Sequence, residues 1–150
     1  MKETGLKIRK TGEPVLRNGV KQVKEITDYH RKMLSEMARL MYEVSGVGLA
    51  SVQVGLDEAM ITVDAGSGLY KLINPKIVKQ SGSQASEEGC LSVPGESRKI
   101  KRAKSVVVEA LDENAKPVKI QAEGLLACVF QHELDHLNGK LIIDHENLAE

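Results

Sequence analysis

The feature that most constrains this chain is a pair of histidines, four residues apart, at the end of an apolar segment. The segment covers residues 124–130, and His132 and His136 follow it with Glu133 between them. On an α-helix, residues four apart lie on the same face, about 6 Å apart along the axis. The two histidines can therefore bind one metal ion, and Glu133 lies close enough to take a proton from a water molecule at that ion.

An ordinary helix with a solvated polar face would also contain such residues by chance. The apolar residues 124–130 argue against that interpretation, because polar groups beside a buried segment are costly unless a partner such as a metal satisfies them. We therefore predict that 124–130 forms a helix buried on nearly every side. We also predict that residues 132–136 contribute to a metal site.

Length and charge narrow the class of protein. The chain has 150 residues, and its 21 Lys and Arg balance its 21 Asp and Glu. This length predicts one domain, residues 1–150, that buries roughly 70% of the surface of the unfolded chain. A balanced charge without a basic stripe gives no support for binding nucleic acid or an anionic membrane. No apolar signal region or span of about 18 apolar residues is found, so we expect a soluble cytoplasmic protein.

The hydrophobic pattern predicts a helix that begins at Thr27 or Asp28 and ends near Val44, with one buried stripe. The stripe comprises Met33, Leu34, Met37, Leu40, Met41 and Val44. His30, near the start of this helix, is interpreted as a surface residue rather than a ligand. Residues 1–24 contain turn signals and are predicted to be irregular.

Short strands separated by turns follow this helix. Asn74-Pro75 is expected to break the extended structure, and residues 80–87 form a polar run. The predicted strands are 60–64, 69–73, 76–79, 104–111, 116–120 and 141–143, of which the fourth and fifth form a hairpin. Strands this closely spaced leave no room for crossover helices. We therefore predict an α+β fold in which antiparallel β-sheets pack around a central helix that carries the H-E-x-x-H motif.

A catalytic metal site of this type needs a third protein ligand. In proteases with the motif H-E-x-x-H-x-x-G-x-x-H the third histidine would fall at Ile142, and His145 comes three residues later in a polar tail that we expect to be exposed. Cys90, in a polar segment upstream, is the strongest candidate because thiolate binds Zn²⁺ and Fe²⁺ well. Cys128 lies one turn before His132 and competes, although we expect it to be a small core thiol. Without a secretion signal, both cysteines are expected to be reduced.

Three segments resemble the motifs of the peptide deformylases, in the same order along the chain. Residues 46–53, G-V-G-L-A-S-V-Q, match G-x-G-L-A-A-x-Q; residues 88–92 match E-G-C-L-S; and residues 131–139 match Q-H-E-x-D-H-L-x-G. Ser51 replaces the alanine that the family usually has, and a buried hydroxyl there would need a hydrogen-bond partner. Residues 73–75 and 124–126 also resemble family positions, so the resemblance spans nearly the whole chain.

The resemblance implies a single catalytic domain that removes the N-formyl group from the N-terminal formylmethionine of newly made polypeptides and releases formate. It implies one Fe²⁺ per chain, for which Zn²⁺, Ni²⁺ or Co²⁺ can substitute. Carried over by position, the implied metal ligands are Cys90, His132 and His136, and Glu133 is the implied general base and acid. Gln53 and the backbone N–H of Leu91 would stabilise the oxyanion.

The resemblance also implies how the substrate binds. Val47 and Gly48 would pair with the peptide as an added strand, beside an apolar pocket for the methionine side chain with Leu125 and Val129 in its walls. N-formylmethionyl nascent peptides are the expected partners, and the ribosome near its exit tunnel is a further candidate. We add one hypothesis of our own, that Glu88 and Arg102 form a supporting ion pair.

Two other functions fit parts of the sequence. A metallopeptidase of another H-E-x-x-H class would need a third ligand downstream, and no suitable residue is found there. A non-catalytic protein that binds nascent N-termini would be expected to have lost Glu133 or Gln53, and the chain has both.

Overall fold

The computed structural model describes residues 5–148, which form two α-helices and seven β-strands. The elements are α1 (Asp28–Glu43), β1 (Gly48–Ala50), β2 (Met60–Val63), β3 (Tyr70–Ser81), β4 (Gln84–Cys90), β5 (Val93–Arg102), β6 (Ser105–Leu111), β7 (Pro117–Glu123) and α2 (Gly124–Leu137). Short 3-10 helices cover Pro14–Leu16, Ser51–Val54 and Ile142–Asp144. One sheet has the strand order β1-β2-β3-β6-β7 and the other consists of β4 and β5, with neighbouring strands antiparallel in both. The predicted α+β class with antiparallel sheets is confirmed.

Helix α1 begins and ends within one residue of its predicted bounds. Leu34, Met37 and Met41 of the predicted stripe are fully buried and pack with residues of β1, β2 and β3 in one apolar cluster. Val44 is 37% exposed, because it follows the last residue of the helix and turns away from the stripe. Its placement in the buried stripe was wrong.

His30 is buried rather than on the surface, which corrects the prediction from its position in the sequence. Its Nδ1 accepts a hydrogen bond of 3.1 Å from the backbone N–H of Thr27, which has no partner within the helix. Its Nε2 lies 2.9 Å from Oε1 of Glu58. His30 therefore closes the first turn of α1 and ties it to the loop before β2.

Strand β3 continues through Asn74-Pro75, where a break was predicted. Asn74 adopts a φ of 56°, and the pairing of β3 with β6 shifts register between Ile73 and Lys76, so the irregularity is a bulge within one long strand. The side chain of Asn74 donates to the carbonyl of Val23 and accepts from its N–H, at 2.9 and 2.8 Å. These two bonds offset the local loss of ladder pairing.

The polar run 80–87 spans the end of β3 and most of β4, which begins at Gln84 and pairs with β5 along its whole length. One face of this hairpin is exposed. The other face, which holds Glu88 and Arg102, is partly buried but mainly polar, which explains why β4 lacks an apolar pattern. Residues 141–143, predicted as a strand, include the start of a 3-10 helix instead. Leu141 and Ile142 are buried there against Val93 and Ile100 of β5.

Helix α2 follows β7 directly and carries residues 132–136 in its last two turns. Ala127, Val129 and Phe130 pack in the main apolar cluster with side chains of the five-stranded sheet. Leu125 is 60% exposed, whereas the other residues of 124–130 are buried or partly buried, so this part of the helix is buried on nearly every side, as predicted. Within residues 5–148, neither α1 nor α2 has the length and apolar character that a membrane-crossing helix requires.

Candidate metal centre and active site

The structure brings together the three residues predicted to bind a metal. Cys90 ends β4, whereas His132 and His136 lie one turn apart on α2, and one donor atom from each lies within 4.8 Å of the other two. Nε2 of His136 is 3.3 Å from Sγ of Cys90. One thiolate and two imidazole nitrogens suit Fe²⁺, Zn²⁺ or Co²⁺, and three protein ligands leave a coordination position open. The donor set therefore fits the metal that the sequence predicts.

The other cysteine and the other candidate histidine do not join this cluster. Cys128 is buried in α2 as a free thiol, as expected for a small core residue. Cys90 is also a free thiol. His145 is separate from the ligand group as well, and its side chain is only 16% exposed. The expectation that the tail around His145 is exposed was wrong for this residue.

The two histidines have different surroundings, and these shift their pKa values in opposite directions. Nδ1 of His132 lies 2.9 Å from Oε1 of Glu88, which leaves Nε2 for a metal. Burial favours the neutral ring of His132, but hydrogen bonds with Cys90 and Glu88 outweigh it and raise its pKa to about 10. Burial, together with the nearby charge of His132, lowers the pKa of His136 to about 3, so its ring is neutral and able to bind a metal.

Glu88 and Arg102 form the ion pair that we predicted. Nε and Nη2 of Arg102 donate to the two carboxylate oxygens of Glu88 at 2.9 and 2.7 Å, and both side chains are nearly inaccessible to solvent. Burial alone would raise the pKa of Glu88, but the bonds from Arg102 and His132 lower it to about 2. Glu88 is therefore ionised and accepts from Arg102 and His132 together.

Glu133 lies in an environment that favours its protonated form. Its side chain is 3% exposed, and Oε1 has no hydrogen-bond partner among the described residues. Burial raises the pKa of Glu133 to about 7. Gly48 of β1 passes so close that a Cβ built on it would lie 2.5 Å from Oε2 of Glu133. The glycine predicted from the first motif is thus required for the close approach of β1 to the acid.

Gln53 reaches the metal cluster from the 3-10 helix that follows β1. Its Oε1 accepts from the backbone N–H of Ala50 at 2.9 Å, which fixes the direction of the amide. Its Nε2 lies 3.8 Å from Sγ of Cys90 and 3.3 Å from Oγ of Ser92. Ser51 is fully buried in the same turn, and its hydroxyl has no partner among the described residues.

A cavity of about 470 Å³ opens onto these groups. Val47 and Gly48 line one side of it, and Leu125 and Val129 of α2 line another. Leu91 and Gln53 also face the cavity, as do Cys90, His132 and Glu133. The structure therefore places every predicted substrate-binding and catalytic residue around one space.

Comparison with known proteins identifies the family to which this chain belongs. The family model for polypeptide deformylase matches residues 5–150. The chain belongs to the polypeptide deformylase family. The peptide deformylase of Halothermothrix orenii is 51% identical over 141 residues, which cover 93% of this chain and 92% of that protein. The peptide deformylase of Carboxydothermus hydrogenoformans is 48% identical over 138 residues, covering 92% and 91% of the two chains.

Solved deformylase structures share the fold. The crystal structure of peptide deformylase from Thermotoga maritima has a TM-score of 0.91 and 40% identity, covering 93% of this chain and 96% of that chain. A peptide deformylase from Synechococcus elongatus in complex with actinonin has a TM-score of 0.93 and 40% identity, covering 99% and 82%. The chain is therefore an enzyme of the deformylase family, whose members remove the formyl group from N-terminal methionine, and the resemblance inferred from three motifs is confirmed.

The site also contains contacts of Asp135 that the sequence analysis did not predict. Nη1 of Arg102 donates to Oδ2 of Asp135 at 2.7 Å, and the same oxygen lies 2.8 Å from Nε2 of His145. Asp135 belongs to the motif at 131–139, so its position in the sequence could have indicated a role in the site. His145 had no such signal, because only folding of the tail against β5 brings it beside α2.

Proposed function

We propose that this chain is a metal-dependent hydrolase that removes the N-formyl group from the N-terminal formylmethionine of newly made polypeptides. The observation that carries the proposal is the convergence of Cys90, His132 and His136 beside the buried carboxylate of Glu133, at the end of a partly apolar cavity. The family membership supports the same reaction. A peptide end that enters the cavity meets the ligand cluster and the acid together.

The metal would be held by Sγ of Cys90 and one ring nitrogen each of His132 and His136. We propose Fe²⁺ as the native ion, one per chain, as the family resemblance implies. Zn²⁺, Ni²⁺ or Co²⁺ could substitute, because this donor set accepts all four ions. When bound, the ion would supply Lewis acidity and make a water molecule acidic near neutral pH. Glu88 fixes Nδ1 of His132, so that the ring orientation is set before the ion binds.

Substrate binding is proposed to use the free edge of β1. This strand lies at one end of the five-stranded sheet, and among residues 5–148 it pairs along one edge only, with β2. An extended peptide can add to the other edge through backbone hydrogen bonds at Val47 and Gly48. The methionine side chain would enter the apolar part of the cavity between Leu125 and Val129.

The proposed reaction uses Glu133 as base and then acid, and Gln53 and Leu91 as hydrogen-bond donors. Glu133 takes a proton from water, and the oxygen attacks the formyl carbon to form a tetrahedral oxyanion. Nε2 of Gln53 and the backbone N–H of Leu91 donate to that oxygen; the loss of one such donor typically costs about 10²–10³ in rate. The C–N bond then breaks, Glu133 returns its proton to the leaving amine, and formate is released. A pKa near 7 lets Glu133 both accept and return a proton at neutral pH.

Residues 1–150 are proposed to act as a single catalytic domain on nascent chains, and hence in the cytoplasm. The ribosome near its exit tunnel is a candidate partner. Nascent formylmethionyl peptides remain the proposed substrate class.

The test is formate release from a formyl-Met peptide by protein purified without oxygen. We expect release by the unmodified chain and its loss in Glu133→Ala, while Glu25→Ala, which changes an exposed glutamate outside the cavity, retains it. An unformylated peptide in parallel tests for peptidase activity. Absence of formate release from protein with bound metal would overturn the proposed function, and cleavage of the unformylated peptide would favour a metallopeptidase.

A further inference from the structure

We infer that His145 is a positioning residue of the metal centre, acting through Asp135, Arg102 and Glu88 to hold His132 in the orientation that binds metal. The inference rests on the proposed role of His132 as a metal ligand. His145 belongs to the segment after α2, which none of the three sequence motifs includes.

A continuous series of hydrogen bonds joins the two histidines. Nε2 of His145 lies 2.8 Å from Oδ2 of Asp135, and that oxygen accepts from Nη1 of Arg102 at 2.7 Å. Arg102 donates through Nε and Nη2 to both oxygens of Glu88. Oε1 of Glu88 then lies 2.9 Å from Nδ1 of His132. Asp135, Arg102 and Glu88, the three groups inside the series, each contact two neighbours.

Burial makes this series costly to break. The side chains of Arg102 and Glu88 are 4% and 8% exposed, whereas Asp135 is 24% exposed and lies nearest to solvent. Without His145, the carboxylate of Asp135 can rotate toward water and leave Nη1 of Arg102 without its anion. Arg102 would then keep only Glu88 as a partner, and a buried charge that is only partly compensated is costly. Any rearrangement that relieves this cost changes the position of Glu88, the carboxylate that orients His132.

The tail that carries His145 is fixed on both sides. Before it, Leu141 and Ile142 are buried against β5. After it, the N–H of Leu148 donates to the carbonyl of Lys99 at 2.8 Å, and the N–H of Lys99 donates to Oδ1 of Asn147 at 3.1 Å. His145 is thus presented to Asp135 by a backbone that cannot swing away freely.

A purely structural role for His145 would fasten the tail without affecting the metal. The two roles differ in what they change: fastening the tail alters the unfolding midpoint, whereas positioning of His132 alters the affinity and the spectrum of a bound metal. Substitutions should therefore separate the hydrogen-bond donor of His145 from its volume. His145→Gln keeps an N–H donor, His145→Phe keeps a ring without a donor, and His145→Ala removes both.

The experiment loads the full chain with Co²⁺ and measures its affinity by competition with a chelator, together with the visible absorption of the cobalt–thiolate site. We expect His145→Ala and His145→Phe to weaken Co²⁺ binding by about tenfold and to change the absorption bands, because supporting partners of metal ligands typically contribute 10–100-fold. His145→Gln should restore most of the affinity. Glu146→Ala, an exposed neighbour, is the matched control and should leave both readouts unchanged.

Unchanged cobalt affinity and absorption in His145→Phe would overturn the inference, even if the unfolding midpoint falls. Should His145→Ala fail to fold, His145→Phe and His145→Gln decide the question. Failure of the unmodified chain to bind Co²⁺ would also overturn it. Formate release is measured on the same samples: loss of cobalt affinity in a chain that never releases formate would refute the proposed function alone, whereas release with no response to His145 substitution would refute the inference alone.

Discussion

The α-carbon of Gly48 faces the carboxylate of Glu133 so closely that an added Cβ would lie 2.5 Å from Oε2 and 2.9 Å from Cγ1 of Val129. Gly48→Ala must therefore displace either β1 or Glu133. We expect kcat for formyl-Met peptide to fall about a hundredfold, since a shift near 1 Å of a catalytic group can cost that much. Steady-state kinetics on metal-loaded protein measures the change.

Gly46→Ala is the matched control for this substitution. A Cβ on Gly46 would lie 3.3 Å from Cδ1 of Leu91, the flexible end of a side chain that can move aside. Its effect on kcat should be much smaller than that of Gly48→Ala. Equal losses in the two variants would show that the loop as a whole, and not the contact with Glu133, limits the rate.

Replacement of Glu88 should affect both folding and metal binding. Glu88→Gln removes the anion that accepts from Arg102 and His132 and leaves a buried guanidinium charge poorly compensated. We expect the free energy of unfolding to fall by roughly 3–5 kcal/mol and metal affinity to fall 10–100-fold. Urea unfolding of metal-free protein and chelator competition measure the two effects separately.

Glu87→Gln is the control for this substitution. It tests whether stability and metal affinity depend on the carboxylate of Glu88 in particular or on any negative charge in β4. Glu87 is exposed on the same strand, so its substitution should leave stability and metal affinity close to those of the unmodified chain. Retention of full metal affinity by Glu88→Gln would contradict the assignment of Glu88 as the partner that orients His132.

Substitution of Ser51 should stabilise the protein. Its hydroxyl is fully buried and has no hydrogen-bond partner among the described residues, so Ser51→Ala removes an unpaired polar group. We expect the free energy of unfolding to rise by about 1 kcal/mol, with activity retained. Ser92→Ala is the contrasting control, because Oγ of Ser92 accepts from Gln53 and its loss should destabilise. Destabilisation by Ser51→Ala would indicate a partner for this hydroxyl.

A salt bridge between Arg17 and Asp144 should contribute to acid sensitivity. The hydrogen bond from Arg17, and to a lesser extent the N–H of Leu141, lower the pKa of Asp144. The stability that Asp144 contributes is therefore present above its unfolded-state pKa near 3.8 and is lost as pH falls below that value toward the lower folded-state pKa.

Asp144→Asn measures that contribution. Because both side chains are partly exposed, we expect it to lower the free energy of unfolding by less than about 1 kcal/mol at neutral pH. The difference from the unmodified chain should shrink as pH falls below 3.8. A difference that stays constant across this acid range would exclude the charge of Asp144 as its cause.

The sequence predicted those elements whose residues repeat with a regular period or mark a turn. The apolar positions of α1, the hairpin of β6 and β7 and the motif on α2 were all readable, since local propensity and one-sided burial produce them. Asn74-Pro75 and the polar strand β4 were not, because a bulge and a strand whose inward-facing side chains are mainly polar leave no periodic apolar signal.

By itself, the sequence determined the chemistry: the spacing of His132, Glu133 and His136, the thiol at Cys90 and the glycine at 48. These are identities and intervals, and a helix fixes the geometry within one turn. Only the tertiary structure decided that the carboxylate of Asp135 contacts the side chains of both Arg102 and His145. Contacts between distant segments depend on how sheets and tail pack, and that packing is a property of the whole chain rather than of any window in it.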